Sequence, residues 1–102
     1  MIITKRDGIK CEFDKSKISQ AIQKAMSKTD IGIDVDLANK IADSIESKQK
    51  DMSVEEIQDI VEDKLMASSR KDVAREYIRY RYKRQEERNA EINLDRQIQG
   101  LF

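Results

Sequence analysis

The sequence predicts a mainly α protein, a four-helix bundle capped by a small, two- to three-stranded β-sheet at its N-terminal end. Apolar residues recur at helical spacing in four segments joined by short connections, which favours an up-down bundle. Two short strand-like stretches flank Asp7-Gly8, a dipeptide that is a strong hairpin signal. The chain has no Pro and only 3 Gly, so little interrupts the helices.

The N-terminal hairpin is assigned to residues 2–6 and 9–13. Two strands alone are marginal in water, so we expect other parts of the chain to cover them. The segment Met52-Ser53-Val54 is extended enough to add a third strand to the hairpin.

Local signals predict where the first three helices begin. Asp14 is a predicted N-cap, and Phe13 with Ile18 forms a hydrophobic staple for helix one, which we expect to run to about Lys28. Helix two is expected to start near Asp34 or Asp36. For helix three the start signal is a capping box made by Ser53 and Glu56.

Helix four is the most basic segment. Ser69 and Asp72 are expected to cap its start. Its apolar stripe consists of Val73, Ala74, Tyr77 and Ile78. At further steps of three and four residues the stripe continues into two basic residues, Arg81 and Arg84. An apolar stripe that turns into arginine predicts an anionic group near the end of the bundle.

Size and composition indicate one small intracellular domain. The chain has 102 residues, and no apolar run approaches the roughly 18 residues that span a bilayer. The N-terminus lacks the apolar region of a signal peptide. A single cysteine, Cys11, allows no internal disulfide and fits a reducing compartment. We therefore expect a cytoplasmic protein without membrane contacts.

The residue inventory argues against catalysis. The sequence has no His, no Cys-x-x-Cys motif and no Gly-rich phosphate loop. Acidic pairs such as Glu55-Glu56 and Glu62-Asp63 are expected to form a solvated face of helix three rather than a metal site. Cys11 is expected to be a half-buried packing residue. We predict a binding domain with no catalytic residues and no metal ligands.

Charge is segregated along the chain although the net charge is 0. Residues 1–29 carry seven Lys or Arg against three Asp or Glu, and residues 70–84 carry seven against two. Residues 30–64 carry four against eleven. The split is expected if the two basic segments meet and face an anion, and it is equally compatible with ordinary solvated faces.

An up-down topology brings the basic segments to one end of the bundle. The hairpin, the starts of helices one and three, and the end of helix four all lie there, so Lys5, Arg6 and Lys17 approach Arg81 and Arg84. Helix N-termini attract anions, and arginine can bind phosphate through two parallel hydrogen bonds.

The same end offers an apolar surface. Ile3 on the first strand and Val54 beside the third are predicted to flank a slot suited to a flat base. Phosphate-binding cations beside such a slot predict a nucleotide site.

Two other interpretations remain open. Arg81 and Arg84 can extend past a packed bundle end, which would leave a helical protein–protein interaction module whose basic end binds an acidic partner. Helix four also interleaves Arg and Tyr, a pattern typical of nucleic-acid contacts. The net charge of 0 argues against direct binding of nucleic acid.

Three segments together resemble a known family. They read ITKRDGIKCEFDKSKISQAI, MSVEEIQDIVEDKLM and KDVAREYIRYRYKR, and their combination and order are similar to the ATP-cone, a nucleotide-binding regulatory domain. The resemblance spans about residues 2–84. It implies a four-helix bundle with a three-stranded cap that binds ATP or dATP, accompanied by Mg²⁺, beneath the sheet.

The resemblance also implies roles for individual residues. Ile3 and Val54 would line the adenine, and Gln58 would lie near the base or the sugar. Phosphates would be held by basic residues from three elements, namely Lys5, Arg6, Lys17 and Arg84, with Arg81 a further candidate. Asp14 would lie near the sugar or phosphates in addition to capping its helix.

The chain looks most similar to the N-terminal cones of anaerobic, class III ribonucleotide reductases, with the aerobic class I and class II enzymes as the alternatives. The cone also occurs in a bacterial repressor of reductase genes, where a Zn-ribbon precedes it. Because Met1 directly precedes the first predicted strand here, we expect no such Zn-ribbon. Residues 1–84 would form the regulatory domain. Residues 85–102 would form a charged linker or helix extension toward a catalytic domain, with Leu101 and Phe102 at its end.

The mechanism that the resemblance implies is allosteric control of overall activity. ATP would keep the reductase active, and dATP would promote an inactive homo-oligomer. The expected partners are adenine nucleotides, the catalytic domain of the same reductase and further copies of the chain. Tyr80 and Tyr82 are candidates for the oligomer contact.

Overall fold

The chain folds into four α-helices and one three-stranded sheet over the part that the structure describes. The structure is a computed structural model that describes the backbone of residues 1–101 and the side chains of residues 1–87. In chain order the elements are β1 (Ile2–Thr4), β2 (Lys10–Glu12), α1 (Lys15–Met26), α2 (Val35–Glu46), β3 (Met52–Ser53), α3 (Val54–Ala67) and α4 (Lys71–Leu101). The predicted fold class is confirmed.

The sheet has the strand order β2-β1-β3, with β2 antiparallel and β3 parallel to the central strand. Ile3 lies opposite Cys11 on one side and Met52 on the other. The hairpin strands are shorter than predicted because residues 5–9 form the turn. There Gly8 N–H donates to Lys5 O at 2.9 Å, with Gly8 at a φ of +86°, a left-handed conformation that glycine adopts without a steric penalty.

The caps predicted at Asp14 and Ser53 are confirmed, and Asp34, one of the two predicted starts of helix two, also forms a cap. Asp14 accepts a hydrogen bond from the Ser16 N–H at 3.0 Å at the start of α1, and Asp34 accepts one from the Leu37 N–H at 3.1 Å at the start of α2. Ser53 caps α3 by accepting from the Glu56 N–H at 3.1 Å. Each cap satisfies a backbone donor that has no partner inside its helix.

The boundaries of the other elements differ slightly from expectation. Helix α1 ends at Met26 rather than near Lys28, and β3 has two residues because Val54 already belongs to α3. The cap predicted at Ser69 is wrong, because α4 begins at Lys71 directly after Arg70. The backbone of α4 continues to Leu101, while Phe102 and the side chain of Leu101 lie outside the described part.

The helices pack antiparallel around one core. Lys15 Nζ at the start of α1 lies 3.3 Å from Asp43 Oδ1 near the end of α2, so these two helices run in opposite directions. Helix α4 packs against both α1 and α3. The sheet covers one end of the bundle, and Ile3 and Met52 join the core from it. The largest fully buried side chains are Ile22, Met26, Ile45, Leu65, Val61 and Val73.

Candidate functional site

A cavity of about 220 Å³ lies between the sheet and the end of the bundle. Its walls come from the hairpin, the first two turns of α1 and of α3, and the second turn of α4. The lining residues are Ile3, Lys5, Cys11, Glu12, Phe13, Asp14, Lys17, Ile18, Ala21, Val54, Ile57, Gln58 and Tyr77. Residues far apart in sequence therefore meet under the hairpin, at the end of the molecule where the predicted site lies.

Strand alternation places two predicted residues on the cavity side of β1. Side chains two apart on a strand point to the same face, so Lys5 follows Ile3 into the cavity wall. Ile3 is 6% exposed and also belongs to the core. Its cross-strand partner Cys11, which is half-buried, lines the cavity beside it.

The first turn of α1 supplies a carboxylate and a cation to the cavity. Asp14 caps the helix, and hydrogen bonds from the hydroxyl and the backbone N–H of Ser16 lower the pKa of its carboxyl below the ordinary value. Lys17 lies on the same first turn and lines the cavity. The Asp14 carboxylate is thus already engaged by its helix, whereas Lys17 has no ion-pair partner among the described residues.

The first turn of α3 supplies the opposite wall. Val54 and Gln58 are four residues apart and so share one face of the helix, which they present to the cavity together with Ile57. Val54 and Ile3 give this wall and the sheet an apolar lining, and Gln58 adds a side chain that can both donate and accept hydrogen bonds.

Three predicted arginines lie outside the cavity wall. Arg6 forms an ion pair with Glu55 and donates from Nη2 to Gln58 Oε1 at 2.9 Å, so it contacts a lining residue from the rim. Arg84 is exposed on α4 and does not line the cavity. Arg81 faces α3 instead. Of the nine predicted residues, the cavity brings together Ile3, Lys5, Asp14, Lys17, Val54 and Gln58.

Arg81 is held by three carboxylates of α3. Its Nη2 lies 2.6 Å from Glu55 Oε2, and its Nη1 lies 2.8 Å from both Asp59 Oδ1 and Glu62 Oε1. Partial burial opposes the charge of Arg81, but hydrogen bonds to Glu62, Glu55 and Asp59 outweigh it and raise the pKa of the guanidinium. Hydrogen bonds from Arg6 and then Arg81 lower the pKa of Glu55.

Glu55 is exposed, as expected for a solvated face, whereas Glu62 is half-buried, and both pair with Arg81. Together with Asp59 they recur at four- and three-residue steps, which places all three on one face of the helix. This face meets the arginine of α4. The anion predicted beside Arg81 is therefore present within the protein itself.

Sequence reasoning missed part of the cavity lining. Phe13 and Ile18 were assigned to a helix staple and Tyr77 to a core stripe, and all three also reach the cavity. Burial raises the pKa of Tyr77 to about 12. Cys11 was identifiable from strand register, because the hairpin pairs it with Ile3. The remaining missed residues are Glu12, Ala21 and Ile57.

A second concavity of about 370 Å³ lies at the opposite end of the bundle. It is bordered by the loop after α1 and the start of α4, and both charge signs line it, including Lys28, Arg75, Asp30 and Glu76. Arg79 on its edge already pairs with Glu76 at 2.9 Å. It lacks the apolar slot of the first cavity, which makes it the weaker candidate for a nucleotide.

The described residues offer neither a cluster of metal ligands nor a membrane-spanning helix. They contain no group of three or more His, Cys, Asp or Glu side chains placed to hold a metal ion. None of their helices is both long enough and apolar enough to cross a membrane.

The fold is a small helical domain with a β-cap and a cavity beneath that cap. Comparison with known families gives a match to the ATP cone domain over residues 1–86. The chain therefore belongs to the ATP-cone family, as its motifs predict.

Relatives of the chain are ribonucleotide reductases. An anaerobic ribonucleoside-triphosphate reductase of Haemophilus influenzae is 38% identical over 104 residues, which covers 98% of this chain and 15% of that protein. A vitamin B12-dependent ribonucleoside-diphosphate reductase of Thermoplasma acidophilum is 47% identical over 90 residues, covering 80% of this chain and 12% of that protein. The chain thus spans 15% or less of the length of these two relatives.

Proposed function

We propose that the chain is a non-catalytic regulatory domain that senses ATP and dATP for a ribonucleotide reductase in the cytoplasm. The observation that carries this proposal is the cavity beneath the sheet, where an apolar slot and two lysines lie together. Membership of the ATP-cone family and the reductase relatives support it.

The apolar part of the cavity suits an adenine base. Ile3 and Val54 flank the slot from the sheet and from α3, and Gln58 offers an amide to the edge of the base or to the ribose. Binding sites for small molecules are typically apolar with a few polar groups that fix orientation, and this cavity has that composition.

The charged part suits the phosphates. Lys5 and Lys17 approach from the sheet and from α1, and the N-terminus of α1 adds the positive end of a helix dipole. The cavity volume of about 220 Å³ is below the roughly 300 Å³ at which drug-sized ligands are accommodated. The triphosphate would therefore extend to the rim, where Arg6 lies, and toward Arg84. Mg²⁺ would be held chiefly by the phosphates, since the described residues contain no ready-made metal site.

The regulatory step follows from differential binding. ATP and dATP differ by one hydroxyl group, and a ligand shifts a conformational equilibrium only by its difference in affinity for the two states. We propose that dATP stabilises a homo-oligomer that inhibits the attached catalytic domain, whereas ATP does not. Tyr82, which is 63% exposed on α4, and its neighbour Tyr80 are candidates for the contact between copies.

A protein–protein interaction module without a small ligand is the second candidate. Its support is the exposure of Ile78 and Tyr82 on α4, where apolar surface is open to solvent. Such a module would not be stabilised by nucleotides.

Calorimetric titration of ATP, dATP and GTP with Mg²⁺ into the purified chain tests the function. The proposal predicts binding of both adenine nucleotides and weak or no binding of GTP. Light scattering on the same samples tests the oligomer and predicts a larger mass with dATP than with ATP. A folded chain that binds none of the three nucleotides would contradict the proposal and favour the interaction module.

A further inference from the structure

Glu55 bridges the hairpin and α4. One carboxylate oxygen, Oε1, pairs with Arg6 Nε in the hairpin turn. The other, Oε2, lies 2.6 Å from Arg81 Nη2. Hydrogen bonds from both arginines lower the pKa of Glu55, so the carboxylate carries its full charge at neutral pH. A single acidic side chain thus holds two arginines that the sequence assigns to phosphate binding.

The two arginines differ in how strongly the protein engages them. Arg81 retains Asp59 and Glu62 at 2.8 Å if Glu55 is removed. Arg6 has Glu55 as its one charged partner among the described residues, and its other contact is the neutral Gln58. Of the two arginines, Arg6 is therefore the one that a competing anion can more easily separate from Glu55.

The position of Arg6 makes this competition relevant to the cavity. Lys5, its neighbour in the chain, lines the cavity, while Arg6 points to the rim and contacts Gln58, which also lines it. Arg6 is thus next to the cavity residue Lys5 and is held at the rim by the Glu55 carboxylate. A change of rotamer would bring Arg6 to a phosphate at the mouth of the cavity.

We propose that Glu55 sets the affinity for nucleotides by competing with their phosphates for Arg6. This inference rests on the proposed function of the cavity. When a triphosphate binds, Arg6 exchanges the Glu55 carboxylate for a phosphate oxygen, and Glu55 keeps Arg81 as its partner. The cost of that exchange weakens binding relative to a site whose arginine has no internal partner.

The relative strengths of the contacts support the exchange. The side chains of Arg6 and Glu55 are 31% and 49% exposed, and ion pairs at such positions are weak because water screens them. An arginine–phosphate contact is frequently bidentate and stronger. The phosphate therefore wins the competition, but at a cost that removal of Glu55 would abolish.

The test uses Glu55→Gln and a neighbouring control, Glu56→Gln. Glu56 is exposed, adjacent in sequence and without an ion pair among the described residues. Both variants remove one negative charge from the first turn of α3. Calorimetric titration with Mg²⁺-ATP and with inorganic tripolyphosphate is expected to give about 3- to 10-fold tighter binding for Glu55→Gln, and a change of less than about 2-fold for Glu56→Gln.

A double-variant cycle separates competition from simple charge repulsion. If Glu55 acts by holding Arg6, the gain from Glu55→Gln disappears when Arg6→Met is also present, because no arginine is left to release. A gain that persists in the Arg6→Met background would overturn the competition and assign the effect to repulsion alone.

The remaining outcomes distinguish the inference from the proposed function. Wild-type protein that binds ATP, with Glu55→Gln equal or weaker in affinity, would overturn the role of Glu55 and leave the nucleotide site standing. A chain that binds no ATP in either form, while circular dichroism shows it folded, would remove both. Glu55→Ala provides a second variant with the same expected gain if the glutamine side chain forms new contacts.

Discussion

The guanidinium of Arg70 donates from Nη2 to the carbonyl of Gly32 at 2.7 Å and so holds the loop between α1 and α2 against the start of α4. The same nitrogen lies 3.2 Å from Thr29 Oγ1. Gly32 has a φ of +91°, a conformation that other residues adopt only with strain. The side chain of Arg70 is 12% exposed, so these bonds form away from bulk water.

Arg70→Met is expected to destabilise the fold, since it leaves the Gly32 carbonyl without this donor. The loss of free energy of unfolding should be about 1.5–3 kcal/mol, the usual contribution of hydrogen bonds that involve a charged group. Urea unfolding measures it. The control is Arg75→Met, an exposed arginine on α4, for which a change below about 0.5 kcal/mol is expected. Equal effects of the two substitutions would contradict the role assigned to Arg70.

Arg81→Met tests the carboxylate cluster of α3. The substitution leaves Glu55, Asp59 and Glu62 close together without their shared cation, so repulsion adds to the lost bonds. Because Arg81 is 19% exposed, we expect a loss of about 1–3 kcal/mol, below the roughly 3–5 kcal/mol seen when a fully buried pair is broken.

The matched control for Arg81 is Arg79→Met, two residues earlier on α4. Arg79 is 75% exposed and pairs with Glu76 three residues before it. Such pairs contribute about 0.3–0.5 kcal/mol, so chemical denaturation should show a much smaller change. Raising the salt concentration should partly rescue Arg81→Met by screening the carboxylates. A variant with wild-type stability at low salt would show that the cluster contributes nothing.

The burial of the Tyr77 hydroxyl leads us to expect a loss of folding stability at alkaline pH. Burial raises its pKa to about 12 from an ordinary value of 10.0, so the unfolded state releases the phenolic proton first. The free energy of unfolding is unaffected by this group below pH 10.0 and falls by up to about 1.4 kcal/mol per pH unit above it, until the folded state also ionises.

Urea unfolding at about pH 9 and about pH 11 measures this effect. Tyr77→Phe should lose less stability than wild type between the two values, because phenylalanine has no proton to release. Tyr82→Phe, at an exposed site on the same helix, should follow the wild-type dependence. An identical pH dependence for Tyr77→Phe and wild type would contradict the burial effect.

Cys11 offers a chemical probe of the cavity. It is the one cysteine of the sequence and lines the cavity beside Ile3. Alkylation by iodoacetamide, followed by mass spectrometry, should slow severalfold when saturating ATP covers the thiol. Inorganic phosphate should give little protection, because it does not fill the apolar slot. Unchanged alkylation under saturating ATP would place the nucleotide elsewhere.

Local signals in the sequence were sufficient for most of the fold. The side chains of Asp14 and Ser53 cap their helices as predicted, because an N-cap bond depends on residues within one turn. Arg70 shows the limit of such signals. Its bonds reach Thr29 and Gly32 across about forty positions, a contact that no local pattern around α4 encodes.

The cavity-lining residues could be predicted where the topology alone determines their position. They could not be predicted where a side chain has two alternative partners. Lys5, Lys17 and Gln58 reach it because strand alternation and helix starts decide their direction. Arg81 does not line the cavity and forms ion pairs with the carboxylates of α3 instead. The pattern of acidic residues at positions 55, 59 and 62 was visible in the sequence, but the pairing depends on how α3 and α4 are rotated against each other.

The most direct test of the central claim is calorimetric titration of Mg²⁺-ATP into Lys17→Ala and Lys40→Ala beside the wild type. Lys17 lines the cavity, whereas Lys40 is exposed in the middle of α2 and does not. A nucleotide held beneath the sheet predicts affinity about tenfold weaker for Lys17→Ala, from the loss of a charged hydrogen bond, and unchanged for Lys40→Ala. Tight ATP binding by a folded Lys17→Ala, or equal losses in both variants, would contradict the site.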